Sequence, residues 1–153
     1  MVAKITHSKD DDMAQGSMSS EEREAFLADV HVGILAIERP GRGPLALPIW
    51  YRYVDGVVEI GMDGESHKAK LLQESGRATL TVQTETPPYK YVCVEGPVTI
   101  LNERQDDFEM ASRYLGTKLG RWYADTNPST SSSVVVQLVP ESWSTMDFAK
   151  LTG

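Results

Sequence analysis

Hydrophobic positions change their spacing several times along this chain, and each change marks an element. From Ser19 onward, Phe26, Leu27 and Val30 form one helical stripe, and Ser19 followed by Glu22 has capping-box spacing, which predicts a helix over 20–28. So short a helix cannot stand alone and must pack on something. Val32 to Ile37 reads as a strand, ended by a turn cluster of Pro40, Gly41, Gly43 and Pro44. Leu45 to Tyr53 is a second strand, Asp55-Gly56 is a two-residue hairpin turn, and Val57 to Met62 returns as the third. Three consecutive strands with tight turns predict an antiparallel meander. Pro48 lies inside the second strand and cannot donate to a ladder. It marks an edge, a bulge, or a place where something other than a strand meets the backbone.

The pattern then turns helical from Ser66 to Glu74 and stops at Gly76. Arg77 to Gln83 is a fourth strand, Thr86-Pro87-Pro88 breaks the chain, and a long fifth strand runs from Tyr89 to Leu101. Within it, Tyr89, Tyr91, Cys93 and Glu95 share one face, Val92 and Val94 take the other, and Gly96-Pro97 predicts a bulge or bend. Phe108, Ala111, Tyr114, Leu115 and Leu119 define a helix over 105–122. A sixth strand covers 133–139 up to Pro140, and the tail from Trp143 to Leu151 has room for a short one. Six strands with three helices exclude a doubly wound parallel sheet, which needs a crossover helix between successive strands. The expected fold is mostly β, a six- to seven-stranded antiparallel barrel with about three short helices.

Composition narrows this reading without changing it. A chain of 153 residues, 41% hydrophobic and 24% charged, builds one globular domain. Residues 1–17 carry the charged cluster Lys9 to Asp12 and no apolar period, so they are expected to be disordered, leaving 18–153 as the domain. A net charge of −7 argues against a nucleic-acid partner, but not against a small anion held in a local basic pocket. No apolar run is long enough to span a membrane and no leader opens the chain, so a cytoplasmic protein is the expectation. Cys93 is the single cysteine and the histidines His7, His31 and His67 are scattered, so no metal site is expected. No G-x-S-x-G elbow, Walker loop or G-x-G-x-x-G is present. If the protein is an enzyme, a cofactor carries its chemistry.

One stretch offers a place for such a cofactor. Ser66, His67 and Lys68 open the helix that follows the third strand. Unpaired amides, the positive end of the helix dipole and a lysine together make an anion seat. A capped surface helix with an exposed lysine accounts for the same residues.

The ordered set of motifs resembles a known family. It comprises a capped helix, a V-G-x-L-A strand, P-x-W-Y, a D-G hairpin, S-x-K-A-x-x-L, R-A-x-L-x-V, P-P-Y-x-Y-V-x-V-E-G and R-Y-L-G, over Ser19 to about Phe148. The chain resembles the pyridoxamine 5′-phosphate oxidase-like split β-barrel superfamily, in particular its flavin/deazaflavin-dependent oxidoreductase branch of F420-dependent type. The resemblance implies a split β-barrel that pairs with itself as a homodimer, with FMN or coenzyme F420 at the interface. It implies an oxidoreductase moving a hydride between that cofactor and a small organic substrate, or alternatively an FMN-binding or storage protein without turnover. A haem-binding relative is disfavoured, because only His31 and His67 stand in the barrel region.

The same resemblance implies where the cofactor sits. The phosphate falls at Ser66, His67 and Lys68, with His67 where many FMN-binding relatives have arginine. The ring lies against Pro48, Ile49 and Trp50, with Gly61 and Met62 opposite, and strand backbone can hydrogen-bond its pyrimidine edge. Tyr91 matches a position that reaches the cofactor of the other subunit, and Met146 matches a C-terminal position often held by tryptophan. The chain ends without the arginine of a pyridoxamine-phosphate site, so that oxidation is not expected.

Overall fold

The Ser19 hydroxyl accepts the amide of Glu22 and the Glu22 carboxylate accepts the amide of Ser19, so the predicted capping box starts α1 (Ser20–Ala28). The structure, a computed structural model, describes residues 14–152. The expectation of disorder over 1–17 therefore falls outside the described residues as far as 13. Residues 14–17 form a turn against the last strand, where the Asp147 amide donates to the Gly16 carbonyl at 2.7 Å.

Eight strands follow: β1 (Gly33–Arg39), β2 (Arg42–Ile49), β3 (Arg52–Val54), β4 (Val57–Asp63), β5 (Arg77–Gln83), β6 (Lys90–Leu101), β7 (Ser133–Leu138) and β8 (Ser142–Asp147). All pair antiparallel in the order β2-β1-β5-β6-β7-β4-β3, with β8 also on β6. The result is a mostly β split barrel whose sheet is not closed. Two more strands appear than six because the tail forms β8 and the second predicted strand divides at Trp50-Tyr51.

That division overturns the predicted meander. β2 stays on β1, whereas β3 crosses to pair with β4, and β4 continues onto β7 rather than back onto β2. The physical reason lies in Tyr51. Its side chain is fully buried and donates to the Leu27 carbonyl at 2.7 Å, and its amide is taken by the Tyr114 hydroxyl at 3.0 Å rather than by a strand.

β6 is the strand common to both halves. Its first part pairs with β5 and β8, and from Val98 it pairs with β7. The predicted bend at Gly96-Pro97 is this change of partner. A Cβ on Gly96 would overlap the Val139 carbonyl, because the loop after β7 crosses there and its Val139 and Glu141 amides donate to Pro97 and Glu95. Alternate residues then face a single core. Leu35, Ile37, Leu80, Val82, Val92, Val94, Val58, Ile60, Val136 and Leu138 point inward with at most 1% exposure, beneath Leu27 and Leu72 from the helices. At roughly 25 cal/mol per Å² of apolar surface removed from water, this burial is the main stabilising term.

α2 (His67–Ser75) begins at its predicted cap, Ser66, and ends at Gly76 in the left-handed conformation. α3 (Asp107–Thr126) departs from expectation. Gly116 has φ 81° and ψ 168°, which breaks the helix into two arms. The arms fold onto each other where a Cβ on Gly120 would lie 2.8 Å from the Ser112 amide nitrogen. The apolar phase resets at that break, so Leu119, predicted to face the core, is 54% exposed. A short 3-10 turn, Phe148–Leu151, closes the described chain.

Candidate functional site

Between α3 and the side of β4 turned away from the core lies a cleft of about 720 Å³. Val58, Ile60 and Met62 of β4 are buried, so alternation turns Glu59, Gly61 and Asp63 outward. Gly61, having no side chain, lets the Gln105 carboxamide lie against the floor of the cleft. One wall is the end of β2 and the break after it, Pro48, Ile49 and Trp50. Met110, Ala111 and Tyr123 of α3 line the cleft as well, and Lys68 enters from the first turn of α2. Asn127 to Thr130 form the rim.

Aromatic packing holds the Trp50 wall in place. The Trp50 ring stacks on Tyr114 with centroids 5.0 Å apart and planes 5° from parallel, and meets Tyr123 at 5.1 Å and 51°. The Tyr114 hydroxyl lies within 2.7 Å of the His31 carbonyl and 2.9 Å of the Tyr51 carbonyl, so it can donate to either while accepting the Tyr51 amide. Burial raises the pKa of Tyr114 and of Tyr51, so both phenols stay protonated and serve as hydrogen-bonding groups at neutral pH.

The charged groups of the cleft are unevenly satisfied. Lys68 is half-buried and makes no hydrogen bond or ion pair among the described residues. Two carboxylates share the cleft with it. Asp63 accepts the Glu65 amide at 2.9 Å, which with Ser132 holds its carboxyl below the usual carboxylate range. Asp107 accepts the amide and hydroxyl of Ser129 at 2.7 and 2.6 Å.

Of the ten residues expected at a cofactor, Pro48, Ile49, Trp50, Gly61, Met62 and Lys68 line this one cleft. Ser66 and His67 stand beside it. The Ser66 hydroxyl donates to the Asp63 carbonyl at 2.6 Å and accepts the Ala69 amide at 3.2 Å, so the helix cap occupies it. His67 is exposed. Tyr91 and Met146 lie elsewhere, directly opposite each other on β6 and β8 and on the face away from the core. Met146 is only 4% exposed, beneath the turn at Gly16.

The residues of the site that were not foreseen include Gln105, Asp107, Met110, Ala111, Tyr123 and Ser129. They come from α3 and its flanks, which the cleft acquires only through tertiary packing. Gly116 in the middle of a helical pattern was the available signal that this helix folds back.

The arrangement has counterparts. Residues 19–147 match the family described as pyridoxamine 5′-phosphate oxidase. The chain belongs to this family. It is a family of flavin-binding split-barrel proteins that includes oxidoreductases. Among solved structures the chain is similar to a conserved hypothetical protein of Mycobacterium tuberculosis, with 23% identity, coverage of 97% of this chain and 94% of that one, and a TM-score of 0.74. It is similar to an F420 reductase at 21% identity, covering 79% and 94%, with a TM-score of 0.57. An FAD-binding protein from Mesorhizobium loti shares 20% identity over 84% and 94% of the two chains, with a TM-score of 0.63. No curated protein matches.

For a pyridoxamine 5′-phosphate oxidase family member, the cleft suits a flavin-type group. Its volume falls in the ~300–1,000 Å³ range of small-molecule pockets. It has a glycine floor covered by a carboxamide, a rigid aromatic wall, and one unpartnered cation beside a helix start. The first-turn amides of His67 and Lys68 have no intrahelical acceptor there.

Proposed function

We propose that this protein is a flavin- or deazaflavin-dependent oxidoreductase that transfers a hydride between coenzyme F420, or FMN, and a small organic substrate. The observation that carries the reading is Lys68, half-buried and unpartnered, opening onto the same cleft as Pro48, Ile49, Trp50, Gly61 and Met62. The cofactor, when bound, supplies the hydride-accepting ring. The chain's own residues bind, orient and exclude water. Lys68 and the α2 amides hold the phosphate, and Trp50 on Tyr114 gives the ring a fixed wall.

At the phosphate end, a single lysine in a cleft that also holds Asp63 and Asp107 suits the singly charged phosphodiester of coenzyme F420 better than a doubly charged monoester. His67 offers no bidentate fork in place of the missing arginine.

A second copy of the chain is part of the proposal. Val32 and Ile34 are 52% and 41% exposed, Ile34 pairs with Pro48 at the cleft, and Tyr91 lies on the same outward side of the sheet. A homodimer through this face would cover the patch and bring Tyr91 of one copy towards the cleft of the other. No helix among the described residues is long and apolar enough to cross a membrane.

Titration of purified protein with coenzyme F420 and with FMN, read by ligand fluorescence, tests the reading. Lys68→Ala should weaken binding roughly tenfold or more, the worth of a charge-assisted hydrogen bond, with an unchanged circular dichroism spectrum. If neither cofactor binds the parent protein below about 100 μM, the oxidoreductase reading fails. Tight binding of FMN without turnover of any acceptor would leave a storage protein.

A further inference from the structure

Gln105 lies between β6 and α3, in a segment without regular structure, and lines the cleft. Its carboxamide rests on the outer side of β4 at Gly61. A Cβ on Gly61 would overlap its amide carbon, oxygen and nitrogen. No hydrogen bond among the described residues engages that carboxamide. The Gly61 position is therefore open not to empty space but to an amide pressed flat over the floor of the cleft.

A carboxamide presents one acceptor and one donor side by side. Its natural complement is a group offering N–H and C=O in the same order, such as the imide edge of a flavin or deazaflavin ring. An imide N–H placed against an apolar wall without an acceptor loses the hydrogen bond it had in water. Of the other side chains in the cleft, Lys68 donates only, Asp63 and Asp107 accept only, and the Tyr123 hydroxyl is a single group, so none of these sets an acceptor and a donor side by side. Asn127 offers a second carboxamide, but its nitrogen is 3.2 Å from the Tyr123 carbonyl and 3.1 Å from the Thr126 hydroxyl. Gln105 is the carboxamide left free.

We propose that Gln105 reads the imide edge of the ring, its oxygen accepting the ring N–H and its nitrogen donating to the adjacent carbonyl. This rests on the assignment of the cleft to a flavin-type ring. Both FMN and coenzyme F420 carry the edge, so Gln105 selects the class of ring and not the member. Gly61 is the partner in this arrangement, because only a residue without a Cβ lets the carboxamide lie against β4.

The test compares FMN with its N3-methyl analogue, which keeps both carbonyls and lacks the imide proton. Wild-type protein should prefer FMN by about tenfold, the worth of one well-made hydrogen bond. Gln105→Ala, which removes no hydrogen bond of the folded chain, should bind both with nearly equal affinity. Gly61→Ala should displace the carboxamide and erase the preference in the same way. If wild type binds FMN yet ignores the methyl group, or if Gln105→Ala keeps the full preference, the assignment of Gln105 is overturned while the cleft reading stands. If the parent protein binds neither FMN nor coenzyme F420, the cleft reading falls and takes this assignment with it.

Discussion

Replacing Tyr114 by phenylalanine removes one oxygen from the joint between the two halves of the barrel. That oxygen accepts the amide of Tyr51 at 3.0 Å, and Tyr51 is fully buried. It also approaches the His31 carbonyl at 2.7 Å. The stack on Trp50 survives the change, because phenylalanine keeps the ring. What is lost is hydrogen bonding alone, and a buried donor left without an acceptor costs about 1–3 kcal/mol. Tyr114 is only half-buried, so water can reach part of the gap, and we expect a loss of about 2 kcal/mol. For a chain of 153 residues that corresponds to a fall in Tm of about 4–8 °C. Urea unfolding followed by circular dichroism should show a lower midpoint at an unchanged slope. Tyr123→Phe is the control. Its hydroxyl makes no hydrogen bond among the described residues, and it should stay within about 0.5 kcal/mol of the parent. If Tyr114→Phe matches that control, the tyrosine is not what holds the break at Trp50-Tyr51 open.

Two further substitutions probe the frame. Gly96→Ala drives a Cβ into the Val139 carbonyl where neither backbone can yield without losing the Val139–Pro97 and Glu141–Glu95 hydrogen bonds. It should cost about 3 kcal/mol in the same urea assay. Glu22→Gln keeps the capping box but removes the charge that meets Lys150 at 2.6 Å. That contact, with the Ser19 cap, lowers the Glu22 carboxyl to about 2 from an ordinary 4.5. The ionised form therefore stabilises the fold above pH 4.5, and its contribution is lost as pH falls through about 2. Both partners are well exposed, so the parent should exceed the variant by only about 0.5 kcal/mol at pH 7, and the gap should close in acid.

Much of the frame could be read from local chemistry. The Ser19–Glu22 box, the Ser66 cap with Gly76 behind it, and the Asp55-Gly56 turn are each decided within a few residues, and each stands where expected. Alternation along β6 likewise separated Val92 and Val94, which are buried, from the face of Tyr91 and Cys93. What escaped was decided at a distance. Leu45 to Tyr53 has an unbroken strand pattern, and its division depends on Leu27 and Tyr114, far off in the chain. The fold-back of α3 turned on one backbone conformation at Gly116, which residue spacing does not encode. The site shows the same split. Lys68 follows from its place at a helix start and Gly61 came from the family resemblance, but Gln105 reaches Gly61 only once α3 is docked.

The placement of β6 also governs the order in which this barrel can be completed. The partner of Val94 on one side is Leu80, already synthesised when β6 emerges, but on the other it is Trp143, in a strand made nearly fifty residues later. During synthesis on the ribosome, the middle strand therefore waits with one ladder unpaired and the Trp143 and Thr145 side of the core missing. Such an edge invites pairing with a neighbouring chain. Contacts this remote in sequence also make folding slow relative to a helical bundle of the same size. Yield at high expression temperature should therefore be limited by aggregation of chains lacking β8, and not by the stability of the finished barrel.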